Sequence, residues 1–320
     1  MVNNLIIQLN SDCNLNCSYC YAKNKFITNK KNIKKSIQKI IKKYKIINVT
    51  ITGGEPLLEY KFLIEILNNL KNKNMEKFVL TNGTLLNDSM LKELKDLNTK
   101  LRIGIDSFFV NEKRPNKKLV ELIKKNKIRY ASKVMTKKNL KYLYSDFLNL
   151  ANIGFKDIDI IPQMYIYWSN KEIDFISKEI KKVIIHCLKN EININLLGLK
   201  DKNRYYRCNK IRVLPDGDIS FCNSLNSVKK AFFLKNKRLN QFELFKKKTI
   251  KFALENYSRK RWFKEKYLNN FCMIDAFYYS YINNKNSKWI ISVVDLFSTL
   301  NNIIEREVKL YPKMEIYIDD

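Results

Sequence analysis

Apolar and polar positions alternate in short bursts along the first half of the chain, and each burst is followed by a segment of helical period. Residues 5–9 (LIIQL), 47–51 (INVTI), 77–81 (KFVLT), 101–105 (LRIGI), 130–135 (YASKVM) and 157–162 (DIDIIP) have the length and β-branched content of strands. Between them, residues 33–44, 60–72, 89–97 and 140–154 place apolar side chains three and four apart, as one face of a helix requires. Six β/α units in series predict a parallel sheet with helices outside it, curling toward a barrel by the handedness of the crossovers. The fold class expected is α/β, a partial (β/α)6 barrel over residues 1–195, followed by a smaller α+β region over 196–320. After Gln163 comes a further helix whose stripe Ile173, Ile176, Ile180, Val183, Ile184, Cys187 and Leu188 reads as a core face. On this reading Cys187 is a packed thiol, and His186, the only histidine, is not catalytic.

Three cysteines change the picture. Cys13, Cys17 and Cys20 stand in the run SDCNLNCSYCYAK, with the spacing C-x3-C-x2-C on the loop that follows the first strand. Structural zinc is normally closed by four ligands, and no fourth Cys or His lies within the next hundred residues. Disulfides need an oxidising compartment, and no export signal precedes the triad, so the protein is expected in the cytoplasm. An open set of three thiolates suits an iron–sulfur cluster with one iron left free. At the end of the second strand stands Thr52-Gly53-Gly54-Glu55-Pro56, two glycines and an acid where a parallel α/β fold builds its site.

The two motifs together resemble the radical S-adenosylmethionine (SAM) family, whose first loop carries C-x3-C-x-aromatic-C and whose second strand ends in GGE; Tyr19 takes the aromatic place. The resemblance implies that Cys13, Cys17 and Cys20 hold a 4Fe-4S cluster. It implies that the free iron chelates SAM and that reduction cleaves SAM to a 5'-deoxyadenosyl radical. In that setting Gly53 and Gly54 let the backbone approach the methionine end of SAM, and Glu55 faces its ammonium group. Other strand ends are expected to complete the SAM pocket, with Asn82, Asp106, Ser132 and Gln163 as candidates; Gly104 stands where the family often has a serine two residues before the aspartate.

The segment from Cys208 to Cys222 reads as a hairpin turning at Pro215-Asp216-Gly217. It resembles the hairpin of the SPASM and twitch extensions of radical SAM enzymes, which helps to hold an auxiliary 4Fe-4S cluster; Gly217 to Cys222 keeps the G-x4-C spacing. The resemblance implies one auxiliary cluster on Cys208, Cys222 and Cys272, with Asp275 a candidate fourth ligand where a second cysteine is expected.

Charge narrows the partners less than its size suggests. The net charge is +30, from 61 Lys and Arg against 31 Asp and Glu. The abundance of Lys, Asn and Ile is also what A- and T-rich codons produce. Basic runs over residues 23–45 and 124–133 read as solvated helix faces rather than a nucleic-acid groove. No apolar run reaches the roughly 18 to 20 residues of a membrane span. A single histidine also disfavours Ser-His or Cys-His nucleophiles.

Two-cluster enzymes of the resembled type include peptide maturases, and the expected activity is hydrogen-atom abstraction from a ribosomally made peptide, with an acidic precursor steered by the basic surface. A flavodoxin or ferredoxin is the expected electron donor. Asn223 beside Cys222 removes one place for a thiol hydrogen donor, favouring cross-linking or oxidation over simple epimerisation. Rival readings are a small-molecule oxidoreductase or cyclase and, in another class, tRNA modification. The stretch from Cys208 to Cys222 also resembles the GTP-cyclising molybdopterin enzyme, although Tyr205 stands where that enzyme has a further cysteine.

Overall fold

The structure, a computed structural model, describes residues 2–20, 26–71, 74–110, 115–163, 166–196 and 210–220, together with 296, 299, 300 and 303. In chain order the elements are β1 (Asn4–Gln8), α1 (Lys30–Lys43), β2 (Asn48–Thr52), a 3-10 turn (Pro56–Glu59) leading into α2 (Tyr60–Asn69), β3 (Glu76–Thr81), α3 (Asp88–Asp96) and β4 (Thr99–Gly104). There follow α4 (Lys117–Asn126), β5 (Tyr130–Met135), a 3-10 turn (Leu140–Tyr142) leading into α5 (Leu143–Ile153), β6 (Asp157–Pro162), α6 (Asn170–Asn190), β7 (Asn193–Leu196), β8 (Lys210–Val213) and β9 (Ile219–Ser220). All six predicted strands form within two residues of their expected bounds. No described helix is long and apolar enough to cross a membrane.

The described residues fall into two compact units, one running from Met1 to Leu101 and including the 210–220 hairpin, the other beginning at Arg102. In the first unit β1 pairs in parallel with β2 on one side and β8 on the other, β2 pairs in parallel with β3, and β9 closes antiparallel on β8. The period of two puts Leu5, Ile7, Val49, Ile51, Val79, Ile211 and Val213 on one face, all fully buried. Helix α1 packs over β8 and contributes Ile33, Ile37 and Ile40 to that core. Asn29 caps it by accepting from Asn32 N at 3.0 Å.

The hairpin turn is fastened to the same helix. Ser36 Oγ donates to Gly217 O at 2.6 Å, and Asn29 N donates to Pro215 O at 2.7 Å. Gly217 has φ +86°, and a Cβ there would lie 2.3 Å from Cβ of Asn32, so both conformation and space demand glycine.

In the second unit β5 pairs in parallel with β4 and β6, and β6 with β7. Helix α6 buries the stripe read from the sequence, Ile173 to Leu188 including Cys187. A capping box starts it: Ser169 Oγ accepts from Glu172 N at 3.3 Å while the Glu172 carboxylate accepts from Ser169 N at 2.7 Å. Elements α4 and β7 add to those expected. Strand β7 has four residues with only Ile194 and Leu196 buried, too short a pattern to signal itself.

One expectation is corrected here. The basic run 124–133 is not a solvated helix face: α4 ends at Asn126, Tyr130 to Lys133 lie in β5, and Lys133 is completely buried. Charge type alone misled, because a lysine on a central strand is acceptable once a carboxylate faces it.

Candidate cysteine-loop site

The loop that carries Cys13, Cys17 and Cys20 leaves β1 still hydrogen-bonded to the chain leaving β2. Leu9 N donates to Thr52 O at 2.8 Å, Gly54 N to Asn10 O at 3.0 Å and Glu55 N to Asp12 O at 2.8 Å. Asn10, 2% exposed, completes the seam with its side chain: Oδ1 accepts from Gly54 N at 3.0 Å and Nδ2 donates to Glu55 O at 2.9 Å. A Cβ on Gly53 would stand 2.3 Å from Asn10 Oδ1, and one on Gly54 would stand 2.3 Å from Asp12 O. The paired glycines therefore have a reason within the protein: the cysteine loop lies directly on them.

Glu55 is 1% exposed and its carboxylate is fully engaged by protein donors. Oε1 accepts from Leu57 N at 3.0 Å, capping the 3-10 turn, and from Thr81 Oγ1 at 2.6 Å; Oε2 accepts from Asn82 N at 2.8 Å. This acid joins the end of β2 to the end of β3. Asn82 carries the connection on: Nδ2 donates to Asn14 Oδ1 at 2.9 Å and lies 3.9 Å from Cys13 Sγ, while Oδ1 accepts from Thr84 Oγ1 at 2.6 Å. Asn14 Nδ2 donates to Thr84 Oγ1 at 2.8 Å, closing a ring of side chains beneath the first cysteine. Of the expected residues, Cys13, Gly53, Gly54, Glu55 and Asn82 thus come together. Asn10, Asn14, Thr81 and Thr84 were not singled out, although Asn10, Thr81 and Thr84 lie at or just past strand ends, where the other candidates were sought, and Asn14 lies inside the cysteine motif itself.

Tyr19 and Cys20 are half-buried, as is Cys17, and Cys20 N donates to Cys17 O at 3.2 Å in a tight turn. Leu15 N donates to Cys13 Sγ at 3.4 Å. Desolvation pushes the Cys13 thiol above its ordinary pKa, the Leu15 N–H opposes this, and the negative charge of Glu55 adds to it. Ligation would draw off that proton. Among the described residues no three Cys, His, Asp or Glu side chains converge on a point suited to one metal ion. A 4Fe-4S cluster asks for no such convergence, since each thiolate binds its own iron, and three cysteines on one loop, the first with N–H donors aimed at its sulfur, fit that group. Cys208, Cys222, Cys272 and Asp275 lie outside the described residues.

The remaining candidates are in the second unit. Asp106 follows β4 and is buried; its Oδ1 accepts from Val134 N at 3.1 Å. Its carbonyl accepts from Asn139 Nδ2 at 3.0 Å and from Lys133 Nζ. Ser132, buried in β5, pairs with Gly104, and its carbonyl accepts from Ile105 N at 2.9 Å, so Ser132 and the strand leading to Asp106 are neighbours. Gln163 is half-buried and its N–H continues the ladder onto Met135 O at 2.8 Å. The group missed by the sequence reading is Lys133 with Asp146, a fully buried pair at 2.6 Å. Asp146 also accepts from Ser107 Oγ at 3.1 Å and Phe108 N at 2.8 Å, which pins α5 to the loop after β4. Burial pushes the Lys133 ammonium below its ordinary pKa, and the Asp146 charge opposes that. His186 packs edge-on against Phe147, ring centroids 5.7 Å apart, and burial raises the Cys187 thiol.

Comparison with known proteins follows the same lines. The model of the radical SAM superfamily matches residues 7–143, from β1 through both motifs into α5. The chain is 34% identical over 174 residues to an uncharacterised protein of Methanocaldococcus jannaschii, covering 48% of this chain and 60% of that one. It is 30% identical over 260 residues to the GTP 3',8-cyclase of Clostridium perfringens, covering 68% of this chain and 79% of the relative. In fold it is similar to anSMEcpe with bound AdoMet (TM-score 0.69, 16% identity, 95% of this chain and 98% of that one). It is also similar to Streptococcus suis SuiB bound to precursor peptide SuiA (TM-score 0.58, 16% identity, 73% and 62%). These likenesses give the α/β radical SAM fold. With the cysteine loop seated on the Gly53-Gly54-Glu55 turn, and with SAM and a 4Fe-4S cluster as the cofactors, the chain belongs to the radical SAM superfamily.

Proposed function

We propose that this enzyme abstracts a hydrogen atom from a ribosomally made peptide, leading to a cross-link, an oxidation or an epimerisation. The observation that carries the radical step is the seam between cysteine loop and glycine turn, which holds Cys13 against Asn82 and Asn14 at the carboxyl ends of β1, β2 and β3. When bound, the cluster and SAM supply the 5'-deoxyadenosyl radical. The chain's own residues position that pair: Gly53 and Gly54 admit the loop, Asn10 holds it, and Glu55 ties the turn to Asn82. Residues 1–195 form the radical SAM domain on this reading. Residues 196–320 add an auxiliary cluster on Cys208, Cys222 and Cys272 with Asp275, its hairpin joined to β1 through β8. A cytoplasmic flavodoxin or ferredoxin supplies electrons. The peptide reading draws on the fold shared with SuiB and anSMEcpe.

A second reading is favoured by a different observation. The GTP 3',8-cyclase of Clostridium perfringens is the nearer likeness in sequence over most of the chain, which supports a small-molecule substrate.

Anaerobic reconstitution with iron and sulfide, then SAM and dithionite, tests the first step by mass spectrometry of 5'-deoxyadenosine. About eight irons per chain with SAM cleavage are expected from two clusters, and about four would remove the auxiliary one. Incubation with peptides encoded beside the gene, and separately with nucleoside triphosphates, decides the substrate. A mass change in a peptide supports the first reading, and turnover of a nucleotide alone overturns it.

A further inference from the structure

The buried pair of Lys133 and Asp146 directs its remaining hydrogen bonds to a single turn. Lys133 Nζ lies 2.6 Å from Asp146 Oδ2 and also donates to the carbonyl of Asp106. Asp146 Oδ1 accepts from Ser107 Oγ at 3.1 Å and from Phe108 N at 2.8 Å. Asn139, 3% exposed, supplies a second donor to the Asp106 carbonyl through Nδ2 at 3.0 Å. The same nitrogen donates to Val134 O at 2.8 Å, and Asn139 Oδ1 accepts from Thr136 N at 2.7 Å, so this donor is itself held on both sides. Asp106 Oδ1 accepts from Val134 N at 3.1 Å. Strand β5, the loop after it and α5 therefore all act on Asp106, Ser107 and Phe108, the three residues that follow Ile105.

Stability alone does not ask for such an arrangement. A buried ion pair is commonly matched or exceeded by apolar side chains of similar volume. Ala131 and Met135, the neighbours of Lys133 on the same face of β5, are apolar and buried, so the face accepts such residues. What an apolar side chain at 133 cannot do is grip the carbonyl of Asp106. Burial pushes the Lys133 ammonium below its ordinary pKa, and the charges of Asp146 and Asp106 oppose that, so the Asp106 carboxylate also acts on the ammonium. Backbone and side chain of Asp106 are fixed together, the carbonyl from the helix-covered side and the carboxylate from the Val134 N–H. A carboxylate offers about four acceptor positions, so one backbone N–H does not exhaust it.

We infer that Lys133 is a positioning residue for SAM: with Asp146 and Asn139 it fixes the turn after β4 so that the Asp106 carboxylate is aimed before a hydrogen-bond donor of SAM arrives. A group already held in place binds without the loss of freedom that ordering the turn would cost at that moment. The inference rests on the reading that Asp106 is one of the contacts of SAM, and it names what holds that contact in place.

The test compares four full-length chains reconstituted with iron and sulfide: the wild type, the apolar pair Lys133→Met with Asp146→Leu, Asp106→Ala, and the triple replacement. SAM affinity is measured by equilibrium binding, with iron per chain and the unfolding midpoint recorded for each. The apolar pair is expected to keep its iron, because Cys13, Cys17 and Cys20 belong to the other unit. It is expected to bind SAM at least about fivefold more weakly than the wild type, the effect of a contact that is present but no longer aimed. In the Asp106→Ala background the same apolar pair changes SAM affinity by less than about twofold, because a residue that acts through Asp106 then has nothing to act on. Equal SAM affinity in the wild type and the apolar pair overturns the inference. An equal loss in both backgrounds also overturns it, since that is what general damage to the fold produces. If the apolar pair does not fold, Ser107→Ala releases the same turn from Asp146 with both charges kept; SAM binding weakened there in the wild-type background alone supports the inference, and unchanged binding overturns it. Failure of the underlying reading looks different: Asp106→Ala then binds SAM as tightly as the wild type, whereas failure of the inference alone leaves Asp106→Ala weak and the apolar pair normal.

Discussion

Asn10 grips Gly54 from both its backbone and its side chain: Asn10 O and Asn10 Oδ1 each accept from Gly54 N at 3.0 Å. One residue of the cysteine loop therefore locates the glycine turn, and the turn in return has no room for a side chain.

Substitution at the two glycines should rank accordingly. In Gly54→Ala the new Cβ meets backbone, Asp12 O at 2.3 Å and Asp12 C at 2.6 Å, whereas in Gly53→Ala it meets the side-chain oxygen of Asn10. Backbone yields less readily, so Gly54→Ala is expected to lose more iron on reconstitution and about 1 to 3 kcal/mol of stability, the range of a forced overpacking. Iron analysis and denaturant unfolding check the ranking.

Glu55→Gln replaces a charged acceptor that serves Leu57 N, Thr81 Oγ1 and Asn82 N by a neutral amide whose NH2 must face one of those donors. A loss of about 1 to 3 kcal/mol is expected even without cluster or SAM. Thr81→Val removes one of the three donors and should cost about 1 kcal/mol. Unfolding of the iron-free protein isolates this structural share from any contact with SAM.

Lys133→Met leaves Asp146 buried without its ion pair, and Asp146→Leu does the same to Lys133. Each is expected to cost about 3 to 5 kcal/mol, and the double replacement clearly less than the sum, because it removes both charges together. A double-mutant cycle by urea denaturation measures the coupling.

The start of α6 should respond to acid. Desolvation raises the Glu172 carboxyl, but the Ser169 N–H, Lys137 and the Ser169 hydroxyl outweigh it and hold the pKa below the ordinary value. A carboxyl depressed in the folded state contributes its stabilisation above the unfolded pKa and loses it as pH falls through the folded one. Wild type and Glu172→Gln, which removes the titrating charge and keeps the cap, should therefore differ by up to about 1 kcal/mol at neutral pH and draw together as pH falls below the ordinary carboxylate range, which thermal melts from pH 7 to pH 3 would show.

What the chain's order of residues determined by itself was local: period, spacing and turn chemistry. Strands β1 to β6 and the α6 stripe were legible because burial on one face writes a period of 2 or 3.6 into neighbouring positions. Cys13, Cys17 and Cys20 were legible because three ligands on one short loop need no knowledge of the rest of the fold. Contacts between distant segments were not. Asn10 is an ordinary polar residue until β1 and β2 lie in register and bring it to Gly54, 44 positions on. Lys133 reads as surface charge until α5 delivers Asp146, and Arg212 reads as one more cation in a chain of +30 until the pairing of β8 with β1 buries it. Whether a polar group is solvated, paired or stranded depends on what packing brings beside it, and only the tertiary structure decides that.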